Sequence, residues 1–157
     1  MSTILYPTRG GDSTYLNQDW VFELARGKDA SLLLLYVSNV SFLDLLAGPA
    51  RLDLMEAELD ELGEFLLAMA QERAETAGVT AGLVVRRGSF RDALQEVVLE
   101  HQVNIVILGY PSQETALTTH EYINSLAQFL QDECAVEVYV IDEGEIIEHY
   151  LPPAIDN

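Results

Sequence analysis

The 157-residue chain has a single cysteine, Cys134, which can close no disulfide within the chain and cannot gather a thiolate metal cluster by itself. It is read as a small thiol on a helix face. Basic residues are scarce: eight Lys and Arg stand against 26 Asp and Glu, leaving a net charge of −18. Nucleic acid and anionic lipid are both held through clustered cations, so this balance excludes both as partners. Long apolar runs are missing too. Stretches such as Leu32 to Val37 fall far short of the roughly 20 residues a membrane span needs, and the N-terminus enters a strand without a basic leader. The expectation is a soluble, cytoplasmic protein. The three histidines, His101, His120 and His149, stand apart with no second ligand at helical spacing, so solvent exposure or a local cap is expected of them and no metal site. No G-x-S-x-G elbow or other nucleophile motif occurs, and the chain is read as a non-enzyme.

What is present is an apolar framework. Hydrophobic residues make up 49% of the chain, enough for one core, and residues 1–141 are read as one domain followed by a C-terminal extension, 142–157. The stretch from Val103 to Pro111, VNIVILGYP, is a strand buried on both faces and stopped by Gly109 and Pro111. Such a strand belongs at the centre of a parallel sheet. Gly109, where a turn must begin at once, is expected to need a positive φ. In open α/β sheets the ligand crevice lies beyond the carboxyl ends of the central strands, which places a small-molecule site at residues 109–115, if there is one.

Around it the chain alternates. Thr3 to Pro7 is a first strand, and Asp12, Ser13 or Thr14 can cap a helix over about Tyr15 to Arg26, with Leu16, Trp20, Val21, Leu24 and Ala25 on its apolar face and Gly27 ending it. Ser31 to Val37 is a second strand, followed by an apolar patch at Phe42, Leu43, Leu45 and Leu46. About Ala50 to Ala77 reads as one long helix. Its residues Leu52, Met55, Leu59, Leu62, Leu66 and Met69 recur at alternating spacings of three and four, a stripe expected to pack on the sheet and signalling core, not partner. The acidic run Glu56, Glu58, Asp60, Glu61, Glu64 on this helix is read as a solvated face, with an acidic docking surface as the alternative. Val79 to Arg87 is a third strand. Gly88 turns into a helix with Ser89 and Asp92 as a capping box and Phe90, Leu94, Val97 and Val98 buried. A helix over about Thr119 to Glu133 buries Ile123, Leu126, Ala127 and Leu130, and Ala135 to Ile141 closes the pattern as a last strand.

Five strands and four helices in alternation predict a three-layer α/β/α domain with a five-stranded parallel sheet, right-handed crossovers and the Rossmann-like order 3-2-1-4-5. The switch point then lies between the first and fourth strands. The turn at residues 8–13 and the loop at 109–115 converge there.

The segments ILYPT, LLLLYV, VRRGSFRDALQEVV, NIVILG and VEVYVI, in this order over roughly residues 3 to 141, are similar to the universal stress protein family, whose adenine nucleotide alpha hydrolase-like fold the resemblance implies. Its ATP-holding members resemble one another in an acid two residues after the first-strand proline and in a loop patterned G-x2-G-x9-G-S/T. The glycines let backbone amides approach phosphates. Here Arg9 stands at the acid position, Gly109 matches the first glycine, Ser112 replaces the second, and Asn124 with Ser125 comes two residues late. The resemblance thus implies a nucleotide crevice at Pro7, Thr8, Arg9, Val37, Gly109, Ser112, Asn124 and Ser125. Pro111 offers no amide hydrogen, Arg9 cannot accept a hydrogen bond from ribose, and Glu114 repels an anion, so no cofactor is expected, with ATP or AMP as the alternative.

The resemblance also implies a stress-associated regulatory protein with protein partners, assembled as a homodimer through the last strand. Val136, Val138 and Val140 would make the cross-strand contacts. Glu137 inside that strand favours a sheet edge, and Ile146, Ile147, Tyr150 and Leu151 in the extension are placed either on the body or on the partner subunit.

Overall fold

A computed structural model describes residues 2–8, 15–38, 49–110 and 120–152, with the side chains of 38, 49–60 and 120 outside that description. The capping residues Asp12 to Thr14, the patch Phe42 to Leu46, and the side chains of Leu52, Met55 and Leu59 lie outside the described residues.

The elements run β1 (Thr3–Pro7), α1 (Tyr15–Lys28), β2 (Ser31–Ser38), α2 (Pro49–Thr76), β3 (Ala81–Arg87), α3 (Phe90–His101), β4 (Ile105–Gly109), α4 (His120–Cys134), β5 (Glu137–Asp142) and β6 (Glu145–Tyr150). They form one sheet in the order β3-β2-β1-β4-β5-β6. The first five strands are parallel and in the predicted order, but a sixth, antiparallel to β5, extends the sheet. The sheet has six strands, not five. Residues 145–150 of the extension thus lie on the body of the protein.

Alternation of side chains along each strand builds two cores. On one face Ile4, Tyr6, Leu34, Ile107, Tyr139 and Ile141 meet α1 and α2. On the other, Leu5, Leu35, Val106, Leu108, Val138 and Val140 meet α3 and α4. Both faces of β1 and β4 are covered, as continuous apolar runs demand. The predicted face of α4 is buried, as are Leu94, Val97 and Val98 of α3, with Phe90 half-buried beside them, and the Ser89 hydroxyl accepts the Asp92 amide at 3.4 Å, one half of the expected capping box.

Two helices depart from their expected orientation. In α1 four residues of the expected face hold, Val21 and Ala25 buried and Trp20 and Leu24 half-buried against the core, but Asn17, Gln18 and Phe22 are buried beside them while Leu16 is exposed. Polar Asn17 and Gln18 displace Leu16 because each finds a partner there, Asn17 in the Gly144 amide and Gln18 in Arg73 of α2. The helix also runs through Gly27 to Lys28, and Asp29 takes the positive φ instead. In α2 the residues against the sheet are Gly63, Leu67, Ala70 and Ala74, one position round from the expected stripe. Leu66 is half-buried against this core, but Leu62, Phe65 and Met69 face outward. Small residues win the inner face because the helix rides close: a Cβ added at Gly63 would lie 2.3 Å from the Tyr36 ring. Arg73 anchors the helix to α1, donating to Gln18 and, at 2.8 Å, to Asp19, with its guanidinium 4.0 Å from the Tyr15 ring centre.

The β5–β6 hairpin corrects the assembly expectation. Glu143 and Gly144, at φ of 50° and 80°, form a two-residue turn, and the Gly144 amide donates to Asn17 Oδ1 at 2.8 Å. Positive φ at both central residues matches the twist of paired strands. β5 therefore lies between β4 and β6 and is no edge. Val136, Val138 and Val140 are buried in this chain's own core, so none is free to meet a partner's strand. Glu137 pairs across the hairpin with His149 Nε2 at 2.7 Å, and His149 stacks on Tyr139 at 4.1 Å between ring centres, where Trp20 of α1 meets the same tyrosine edge-on. His149 is thus part of the hairpin rather than an isolated surface group.

Burial pushes the Glu137 carboxyl up, but hydrogen bonds from His149 and Tyr139 and nearby positive charge outweigh it and hold the pKa below the usual 4.5. Burial first, then the hydrogen bond and charge of Glu137, raise Tyr139 to about 12. A depressed carboxyl stabilises the fold above its unfolded pKa and loses that contribution as pH falls through its folded pKa. A raised phenol stabilises below pH 10 and loses its contribution as pH climbs towards 12. The wild type is expected to lose stability below about pH 4 and above about pH 10, and Glu137→Gln should flatten the acid limb in denaturant titrations across pH. An unchanged acid limb would remove the pairing from the account.

Two helical glycines give a sharper contrast. Gly63→Ala is expected to destabilise by about 1–3 kcal/mol because the buried Tyr36 ring must move. Gly27→Ala, where nothing stands within 4 Å of the new Cβ, should stabilise by up to about 1 kcal/mol. Chemical denaturation of both variants tests the pair, and equal effects would refute the close approach.

Candidate functional site

The strand order reverses between β1 and β4, so the carboxyl ends of these two strands are the switch point at which a crevice is expected. Pro7 ends β1 half-buried, and Thr8 behind it is buried, its amide donating to Leu35 O at 2.8 Å. Val37 lies two residues beyond the Pro7–Leu35 pair on β2, half-buried against the α3–α4 core. Gly109 ends β4. The amide of Tyr110 then donates to Ile141 O at 2.7 Å, so the ladder to β5 continues one residue past the strand. Gly109 is not among the positive-φ glycines, and among the described residues a Cβ there would meet only Asn17 Nδ2, at 3.5 Å. The expected special conformation is absent, because the chain continues straight into the next ladder bond.

The structure brings Pro7, Thr8 and Gly109 together at adjoining strand ends. Asn124 and Ser125 sit in the second turn of α4, which begins at His120, so they are past the amides of the helix terminus. Ser125 is exposed, and Asn124 Oδ1 is buried without a hydrogen-bond partner among the described residues. Two residues earlier, where the nucleotide-holding pattern places its glycine and hydroxyl, stand half-buried Tyr122 and core Ile123. Arg9 and Ser112 lie outside the described residues.

Sequence reasoning missed Asn17. Its carboxamide accepts the Gly144 amide and stands beside Gly109, joining the crevice to the β5–β6 turn. The available signal was helical spacing: Asn17 and Gln18 share a face with Val21, Phe22 and Ala25, so one polar pair had to enter the core. None of the described crevice positions Pro7, Thr8, Val37, Gly109, Asn17, Asn124 and Ser125 carries an ionisable side chain. As a set they can make hydrogen bonds and apolar contacts but offer no acid, base or charge for an anion.

None of the curated proteins compared with the chain matches it. Among solved structures, a universal stress protein family member from Burkholderia pseudomallei is 20% identical and superposes with a TM-score of 0.68 over 89% of this chain and 95% of its own. A universal stress protein in complex with cAMP is 18% identical, with a TM-score of 0.62 over 90% and 97%. One from Arabidopsis thaliana with AMP bound is 15% identical, with a TM-score of 0.60 over 90% and 92%. At these identities the likeness speaks for the fold. The profile of the universal stress protein family matches residues 1–141, nearly all of the chain, and the chain belongs to that family.

Proposed function

We propose that this universal stress protein is a stress-associated binding protein, without enzymatic chemistry, that does not hold ATP in the pose of its nucleotide-binding relatives. One observation carries the reading. The backbone amides that follow β1 and β4, those of Thr8 and Tyr110, are both spent on neighbouring strands, at 2.8 and 2.7 Å. A phosphate needs such amides aimed at it. The displacement of Asn124 and Ser125 into the second turn of α4 takes away a second source of donors. The residues 142–157 we read as an extension of the family domain that has acquired a strand of its own.

A second reading has support in the relatives solved with cAMP and AMP and in the buried, unpartnered Oδ1 of Asn124, which could accept from an adenine amino group or a ribose hydroxyl. Thermal unfolding separates the two. Millimolar Mg-ATP or AMP is expected to leave Tm unchanged, whereas a ligand at 100 times its Kd would stabilise by about 2.7 kcal/mol. A shift of several degrees, abolished by Asn124→Ala, would establish the second reading.

We place a homodimer contact at the outer edge of β6, the last described strand of the sheet, where Ile146 and Ile147 are exposed and no described strand pairs. Sedimentation at micromolar concentration should give a dimer, and Ile147→Pro a folded monomer, since proline blocks the edge without entering the core. A monomeric wild type refutes the assignment.

A further inference from the structure

The long helix α2 carries its apolar residues on two lines. Gly63, Leu67, Ala70 and Ala74 face the sheet, and Leu62, Phe65 and Met69 form a second line at i, i+3 and i+7 that is 48%, 61% and 42% exposed. Single exposed apolar residues need no explanation, but three in register along one helix make a recognition stripe. In sequence the same stripe continues at Leu52, Met55 and Leu59. Its banks are acidic. Glu61 and Glu72 are exposed on α2, and on the facing side of α1 Asp19 and Glu23, one turn apart, are exposed as well. Arg73, the cation described at this seam, is already held by Gln18, Asp19 and the Tyr15 ring.

We propose that this stripe is a docking site for a basic amphipathic helix of a partner protein, which lays its own apolar line on Leu62, Phe65 and Met69 and its Lys or Arg residues against the acidic banks. Charge decides the occupant. A second copy of the chain would bring like-charged banks together at contact distance, and each copy already carries −18, whereas a cationic helix meets complementary charge on both sides of the stripe. Anionic lipid is repelled for the same reason. Methionine and phenylalanine in the line suit a surface that adapts to its ligand.

The inference rests on the reading of the chain as a binding protein, yet it concerns a face remote from the nucleotide measurement, so the two can fail separately. The probe is a fluorescein-labelled peptide of leucine and lysine, about 18 residues long, with leucines at i, i+3, i+4 and i+7. Its control has the same composition in scrambled order. Fluorescence anisotropy is expected to show the patterned peptide binding at least about tenfold tighter than the scrambled one. Phe65→Ser/Met69→Ser should remove that preference, and Glu61→Lys/Glu72→Lys should weaken both peptides, with thermal melts of both variants unchanged because the four side chains are exposed. Equal binding of the two peptides would reduce the effect to net charge and overturn the proposal. So would wild-type affinity in the serine variant, or a fall in its sedimenting mass, which would name a second copy as the occupant.

Discussion

Strands β1 and β4 have no side facing water: neighbours pair with both their edges, and helices cover both their faces. This is the demand from which the rest of the architecture follows. Parallel strands cannot be joined by tight turns, so each connection must climb back over the sheet as a helix, and right-handed crossovers send α1 and α2 to one face and α3 and α4 to the other. The point where the chain changes face lies between the ends of β1 and β4. There the protein has closed ranks, with Thr8, Tyr110 and Asn17 each committed to backbone partners.

Much of the five-stranded arrangement was legible because buried parallel strands are written as uninterrupted apolar runs, such as LLLLYV and IVIL, and each is followed by a helical period. The rotation of α2 was not. Its large residues advertise a stripe, and reading that stripe as core assumes that the largest side chains go inside. A glycine in close contact with Tyr36 reverses the assumption, because small residues let the helix approach while large ones turn outward. Of the crevice, the positions of Pro7, Thr8 and Gly109 followed from topology alone, while the engagement of their amides depends on ladder bonds that only three-dimensional register reveals.

The sixth strand was concealed by its charges. EIIEHY has two acids and a histidine, which reads as tail, yet the preceding Asp142-Glu143-Gly144 carries a two-residue turn signal, and Glu148 and His149 find partners within the hairpin. Glu148 accepts from Tyr150, and the opposing Glu137 pairs with His149. By supplying that strand the chain moves its valines from an edge into the core.

The contact between Gly63 and Tyr36 has a further consequence. A helix seated on ordinary side chains can roll by a few tens of degrees as rotamers shift, but one whose backbone rests on an aromatic ring has no such slack, and the Arg73 clasp to α1 pins it a second time. The azimuth of α2 is therefore set when the protein folds. Whatever meets its outer surface finds the helix backbone already oriented, and only the exposed side chains on it are left to be arranged in the encounter.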